Sequence, residues 1–259
     1  MKGGKPRNKA KSSHKETVQQ SLGNEIRLNR FISLSGLCSR RKADELIAEG
    51  RVKVNSKVVK ELGVKVSLRD KVQVDNKLIG PEEKQYVIMN KPGGVICTKA
   101  DPQKRRTVMD MLPPDLQHLN PVGRLDRNTT GVLLLTNDGD LTQKLLHPSK
   151  KVKKVYKAKL DKHITEDQMQ KLVDGVELED GKSHFDKLVE LQEDNEPRFG
   201  IEIHSGKNRI IRRMFESQNV QVLKLDRVLF HTLERRGLKR GEWRALKEKE
   251  LRSLGVKVS

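Results

Sequence analysis

Aromatic residues make up only 3% of the 259 positions, with a single Trp, two Tyr and five Phe. So few ring faces argue against a module that stacks successive bases on an aromatic sheet. Cys38 and Cys97 are the only cysteines, two isolated thiols that fit a reducing cytosol, and neither has the Cys-x-x-Cys company that would suggest zinc. The seven histidines are scattered without ligand spacing, so neither a metal nor another cofactor is expected. No apolar run reaches the length of a membrane span, and the Lys2–Lys15 region has no apolar core behind its charges. The expectation is a cytoplasmic protein without a membrane partner.

Apolar residues are also sparse, at 34%, and come in blocks such as Val132–Leu135, Leu172–Val173 and Val220–Leu225. What is abundant is positive charge. Lys and Arg number 54 against 35 Asp and Glu, a formal net charge of +19. A surplus of that size points to a polyanion, and nucleic acid is the usual one. With few aromatics, the contact should be mostly electrostatic.

Three regions follow from the patterning: 1–24, 25–80 and 84–254. The first is a basic arm with too little apolar surface to order itself. The second opens with Leu28, Phe31 and Ile32 at helical spacing, closed by Gly36. A second helix starts at Ser39 as N-cap and carries Ala43, Leu46 and Ile47 as its stripe. Arg40, Arg41 and Lys42 crowd the first turn, where the helix dipole is already positive, so a bound phosphate is expected there. Short strands follow at Arg51–Asn55, Val58–Val59, Val64–Val66 and Lys71–Val74. The run from Ser35 to Asp44, continued by Gly50 to Asn55, resembles the S4 RNA-binding domain, with Ser56 where that family often has Gly. Arg51 joins the expected RNA contacts.

The third region mixes strands and helices without a βαβ rhythm, so the fold class is α+β. Strands are expected at Tyr86–Met89, Val132–Leu135, Val155–Leu160, Lys187–Leu191, Phe199–His204 and Val220–Leu225. Helices are expected over Val108–Leu112, from an Asp140 cap through Leu146, after a Thr165–Gln168 capping box, and over Asn208–Ser217. Asp126 lies between Arg124 and Arg127 at the mouth of the buried Val132–Leu135 run. Spacing alone leaves two readings open: an ion pair that closes a loop, or a catalytic carboxylate held with its partner.

Three stretches occur in order: Asn90–Gly94, Gly123–Gly131 and Gly206–Phe215. Together they resemble the motifs of the RsuA/RluB-type pseudouridine synthases, closest to the RluB-like branch. The resemblance implies an S4-like module ahead of a catalytic domain with a mixed, mainly antiparallel sheet. It implies conversion of a uridine to pseudouridine in ribosomal RNA, with the large-subunit (23S) RNA of the pre-ribosome as partner and a monomeric enzyme. A small-subunit enzyme, or a non-catalytic RNA-binding assembly factor, is the alternative. The family's essential aspartate maps onto Asp126, its stacking tyrosine onto Tyr156, and the arginine that holds the aspartate onto Arg212. Ile211 would pack under the uracil. Arg124, Lys91, Lys207 and Arg209 are expected to bind substrate, and Arg105 and Arg106 to contact RNA. Ile210 stands where many relatives carry Gln, so any hydrogen bond from that position is lost or replaced.

Overall fold

The computed structural model describes residues 25–99, 101–192 and 195–258; the expected basic arm over 1–24 lies outside them. The chain divides between Glu83 and Lys84 into two compact units.

In the first unit, β1 (Ile26–Arg27) leads into α1 (Leu28–Leu34), and α2 (Arg40–Ala48) follows. Leu28, Phe31 and Ile32 of α1 meet Ala43, Leu46 and Ile47 of α2 in one buried cluster. Ser39 caps α2 as expected, its Oγ accepting from the Lys42 amide at 3.2 Å. Then come β2 (Val52–Val54), β3 (Lys57–Val59), β4 (Lys65–Val66), β5 (Val72–Val74) and β6 (Lys77–Ile79). Four of them form an antiparallel sheet in the order β3-β2-β5-β6, and β4 pairs with β1. Val52, Val72 and Val74 close the core from the sheet side. Ser56 takes φ +70° in the β2–β3 turn, a left-handed conformation in which Gly would carry no Cβ strain. The sequence patterning did not anticipate β1 or β6.

The second unit is built on one mixed sheet. Its strands are β7 (Tyr86–Lys91), β8 (Asn120–Pro121), β9 (Thr130–Thr136), β10 (Lys154–Leu160), β11 (Lys187–Leu191), β12 (Arg198–Ile203), β13 (Val222–Phe230), β14 (Leu233–Glu234) and β15 (Trp243–Ala245). The order is β11-β12-β10-β13-β9-β7-β15, with β14 beside β13 and β8 beside β9. The β9–β13 pair is parallel, and the other pairs are antiparallel. The long apolar runs of β7 and β9 have a simple cause. Alternate residues point to opposite faces, and both faces are covered: Val87, Met89, Leu133 and Leu135 enter one core, Ile88, Val132 and Leu134 the other. Burial stabilises such side chains by about 2 kcal/mol apiece.

Helices α3 (Gly139–Leu146), α4 (Glu166–Asp174), α5 (Ile210–Glu216) and α6 (Glu248–Ser253) complete this unit. Three expectations need correction. The cap of α3 is Asp138, whose Oδ1 accepts from the Asp140 and Leu141 amides at 3.2 and 3.1 Å, so Asp140 lies inside the helix. Val108–Leu112 forms only a 3₁₀ turn, Met109–Met111, because Thr107 and Asp110 bond one another and Pro113 follows at once. The strand expected to end at Leu225 continues through Asp226 and Arg227 to Phe230. The Thr165–Gln168 capping box forms as expected. Among the described residues, no helix is long and apolar enough to cross a membrane.

Candidate active site

Asp126 sits on the loop between β8 and β9, and that loop is fastened from behind. Lys91, at the end of β7, is fully buried and its Nζ donates to the carbonyls of Pro92, Asp126, Arg127 and Thr129 at 3.0, 3.2, 3.1 and 2.8 Å. The Gly94 amide donates to the Arg127 carbonyl at 2.9 Å, and the Leu125 amide to Cys97 Sγ at 3.4 Å. A buried ammonium that meets four carbonyl oxygens is a clamp, and it cannot also reach a substrate. Lys91 was expected to bind substrate; the structure assigns it to holding the Asp126 loop. Burial pushes its pKa down, with Arg227 adding to the fall and Cys97 and Asp126 opposing it.

The front of the loop opens into a cavity of about 1130 Å³. Asp126 lines it together with Tyr156 of β10 and Ile211 and Arg212 of α5, so three distant stretches of sequence meet there. Tyr156 and Ile211 are buried, and both belong to the apolar core that floors the cavity. Arg124, Arg105, Lys207 and Arg209 also line it, whereas Arg106 does not.

Among the described residues, the Asp126 carboxylate takes part in no hydrogen bond or ion pair; only its backbone carbonyl is bonded, to Lys91 and Thr129. Arg212 therefore does not grip it directly. The Arg212 Nη1 donates to the Val222 carbonyl on β13, and burial and nearby Arg209 lower its pKa while Asp126 pulls it back up. The two charges sense each other across the cavity. Lys207 is also committed elsewhere: its Nζ donates to the carbonyls of Asp180 and Gly181 and to Ser183 Oγ at 2.8, 3.1 and 3.0 Å. Those bonds, with the Arg213–Asp180 pair at 2.9 Å, anchor the segment that leads into α5. Arg209 holds a left-handed φ of +46° at the start of α5 and lies 3.8 Å from Glu216. Arg105 is fixed to Asp101 by two side-chain bonds of 3.0 and 2.7 Å.

Two cavity residues were not anticipated from sequence. Arg227 is 2% exposed, and Lys154 donates to the carbonyls of His204 and Ser205 at 2.8 and 3.2 Å. Burial, aided by Arg227, pushes the Lys154 amine down to about 8. For Arg227 the available signal was an Asp-Arg pair inside the mainly apolar stretch from Val222 to Phe230.

In the first unit, Arg40 and Arg41 are exposed in the first turn of α2, which holds no acidic residue. Lys42 pairs with Glu45 at 2.7 Å, and Arg51 with Asp75 at 2.6 Å and Glu49 at 3.2 Å. Among the described residues, no cluster of three His, Cys, Asp or Glu side chains could hold a metal ion.

Comparison with known proteins agrees with this arrangement. Residues 85–217 match the RNA pseudouridylate synthase family, and residues 26–72 match the S4 domain. The chain is 42% identical over 231 residues to "Ribosomal large subunit pseudouridine synthase B" of Bacillus subtilis (strain 168), covering 88% of this chain and 95% of that one. It is 38% identical over 233 residues to an uncharacterized RNA pseudouridine synthase of Aquifex aeolicus (strain VF5), covering 89% and 94% respectively. A crystal structure of a pseudouridylate synthase superposes with a TM-score of 0.64 at 28% identity, over 88% of this chain and 99% of that one.

Proposed function

The chain belongs to the RNA pseudouridylate synthase family and isomerises uridine to pseudouridine in RNA, and from that premise we propose that its target lies in large-subunit (23S) ribosomal RNA. The target rests on the Bacillus subtilis relative, which matches this chain along 95% of its own length and carries the large-subunit name. The protein acts, on this reading, as a cytoplasmic monomer.

The observation that carries the site assignment is the unpartnered Asp126 carboxylate, aimed from a clamped loop into the same cavity as Tyr156 and Ile211. Isomerisation must break the N1–C1′ bond, turn the uracil over and rejoin it through C5. Cleavage develops positive charge at C1′, which a carboxylate stabilises, as in glycoside hydrolysis. Asp126 either attacks C1′ or removes a sugar proton; in both cases its carboxylate must be free of a competing ion pair. Tyr156 stacks on the base, Ile211 packs beneath it, and Arg212 supplies field across the cavity. A uridine in folded RNA has to be flipped out, at a cost of a few kcal/mol. Phosphate contacts from Arg124, Arg209 and the exposed Arg40 and Arg41 offset that cost. A non-catalytic assembly factor would have no use for a free carboxylate in the same cavity as a buried tyrosine.

Mapping pseudouridines in ribosomal RNA from cells with and without the protein tests the reading. One large-subunit site should vanish on deletion. An unchanged map refutes the activity, and loss of a small-subunit site instead refutes the target.

A further inference from the structure

Arg227 is a buried cation that the assignments above leave without a task. Its Nε donates to the Val132 carbonyl at 2.8 Å, the side chain's one hydrogen bond among the described residues. Its Nη2 is sealed from solvent with no partner. The guanidinium carbon lies 4.7 Å from the centre of the Phe230 ring. Among the described residues it makes no ion pair: neighbouring Asp226 is taken by Thr130, Arg240 and Arg235 at 2.8, 2.8 and 3.3 Å. A guanidinium withdrawn from water with an unmet donor is costly, and a ring face offsets only part of that cost.

The surroundings deepen the imbalance. Arg227 stands opposite Tyr156 in the β10–β13 register, and it lines the cavity. Its charge depresses the pKa values of both Lys91 and Lys154. Three buried or half-buried cations thus sit at this end of the site; Asp126 acts on Lys91 and Asp186 on Lys154, but among the described residues none of the three cations is ion-paired with a carboxylate. A cavity charged in this way is balanced by an anion that arises within it.

The reaction makes one. When the N1–C1′ bond breaks, its electron pair stays on N1, whether Asp126 has added to C1′ or taken a sugar proton. The uracil is then an anion spread over N1, O2 and O4 until C5 bonds to C1′; that bond discharges it, and C5 afterwards loses its proton while N1 gains one. We propose that Arg227 stabilises this detached uracil anion. The assignment rests on the reading that the cavity receives the flipped uridine. Fixed charge directed at the place where charge develops is the most effective form of such stabilisation, because nothing has to reorganise during the step.

The competing role for Arg227 is a tie between β9 and β13 through Val132, and leaving-group chemistry separates the two. Both ribosomal RNAs are transcribed with uridine or with 5-fluorouridine, whose fluorine withdraws charge from the departing base. Single-turnover loss of the N1-linked target nucleoside is then followed by mass spectrometry. Arg227→Met should slow the uridine substrate about 100-fold, and the fluorinated substrate by only about 10-fold, because that base holds its own charge. The ratio is taken within one preparation, so the folded fraction cancels; if Arg227→Met does not fold, Arg227→Gln is read in the same way. Equal defects on the two substrates overturn the proposal. Wild-type turnover of the small-subunit transcript would refute the target reading while leaving the ratio measurable.

Discussion

A Cβ on Gly131 would lie 2.1 Å from the Arg227 carbonyl oxygen and 2.7 Å from its amide nitrogen. Gly131 closes the Asp126 loop and begins the buried part of β9, pressed between Lys91 on β7 and Arg227 on β13. Its φ of +110° is one that side chains rarely adopt. The nearest atom is backbone, with Asp226 Oδ1 also at 2.7 Å, so a side-chain rotation alone cannot make room. Gly131→Ala should therefore cost about 3 kcal/mol, measured by chemical denaturation. A loss below about 1 kcal/mol would show that the parallel pair can open.

Asp126→Asn keeps the shape of the side chain and removes its charge. Pseudouridine formation should disappear while RNA affinity stays within about threefold, since affinity comes from phosphate contacts. A filter-binding titration beside the turnover assay decides it; a large loss of affinity would make the carboxylate structural.

Lys91→Met leaves four carbonyl groups without their shared donor. Stability should fall by about 3 kcal/mol, and turnover with it as the Asp126 loop loosens. The salt dependence of RNA binding should not change, because the ammonium never meets phosphate. A shallower salt slope would return Lys91 to the binding surface.

Lys154 has a folded-state pKa of about 8, against an ordinary value of 10.5. Below pH 8 both folded and unfolded chains hold the proton, and the cost of burying that charge is felt in full. Between pH 8 and 10.5 the unfolded chain keeps a proton that the folded one has released, so the contribution of this site to stability improves as pH rises. Relative to Lys154→Met, the wild type should gain stability across that window in pH-dependent melts. A constant difference would mean that the amine titrates normally.

Arg40→Ala with Arg41→Ala removes two exposed cations from the first turn of α2. RNA affinity should drop, and the slope of log K against log salt should flatten by about 1 to 2. An unchanged slope would mean that these arginines do not meet the RNA backbone.

Much of this was legible in the chain before folding. The β7 and β9 runs, the Ser39 cap and the Thr165–Gln168 box are local signals, and local chemistry decided them. Asp126, Tyr156 and Ile211 were named through motif resemblance, and the cavity contains all three. What local chemistry left undecided has a common cause. Lys91 and Lys207 are cations in motifs, but nothing local says whether an ammonium will find solvent or a set of carbonyls. Arg227 lay in a polar break that ended the expected strand at Leu225, and only pairing with β9 and β10 makes that break the middle of β13. Asp138 and Asp140 are two acids in one turn, and the choice of cap depends on Tyr86 and Lys84, which bond Asp138 at 2.8 and 2.9 Å from β7 and its approach.

The parallel β9–β13 pairing also sets an order of events. Thr130 and Asp226, bonded side chain to side chain, are 96 residues apart. Non-local pairings of this kind form late, after the entropy of closing a long loop has been overcome. During synthesis, the Asp126 loop therefore leaves the ribosome well before the strand that braces it. Until β13 arrives, the nascent chain displays every residue of the Gly123–Gly131 motif and has no assembled site. Chains cut short before Asp226 should thus be inactive with that motif intact.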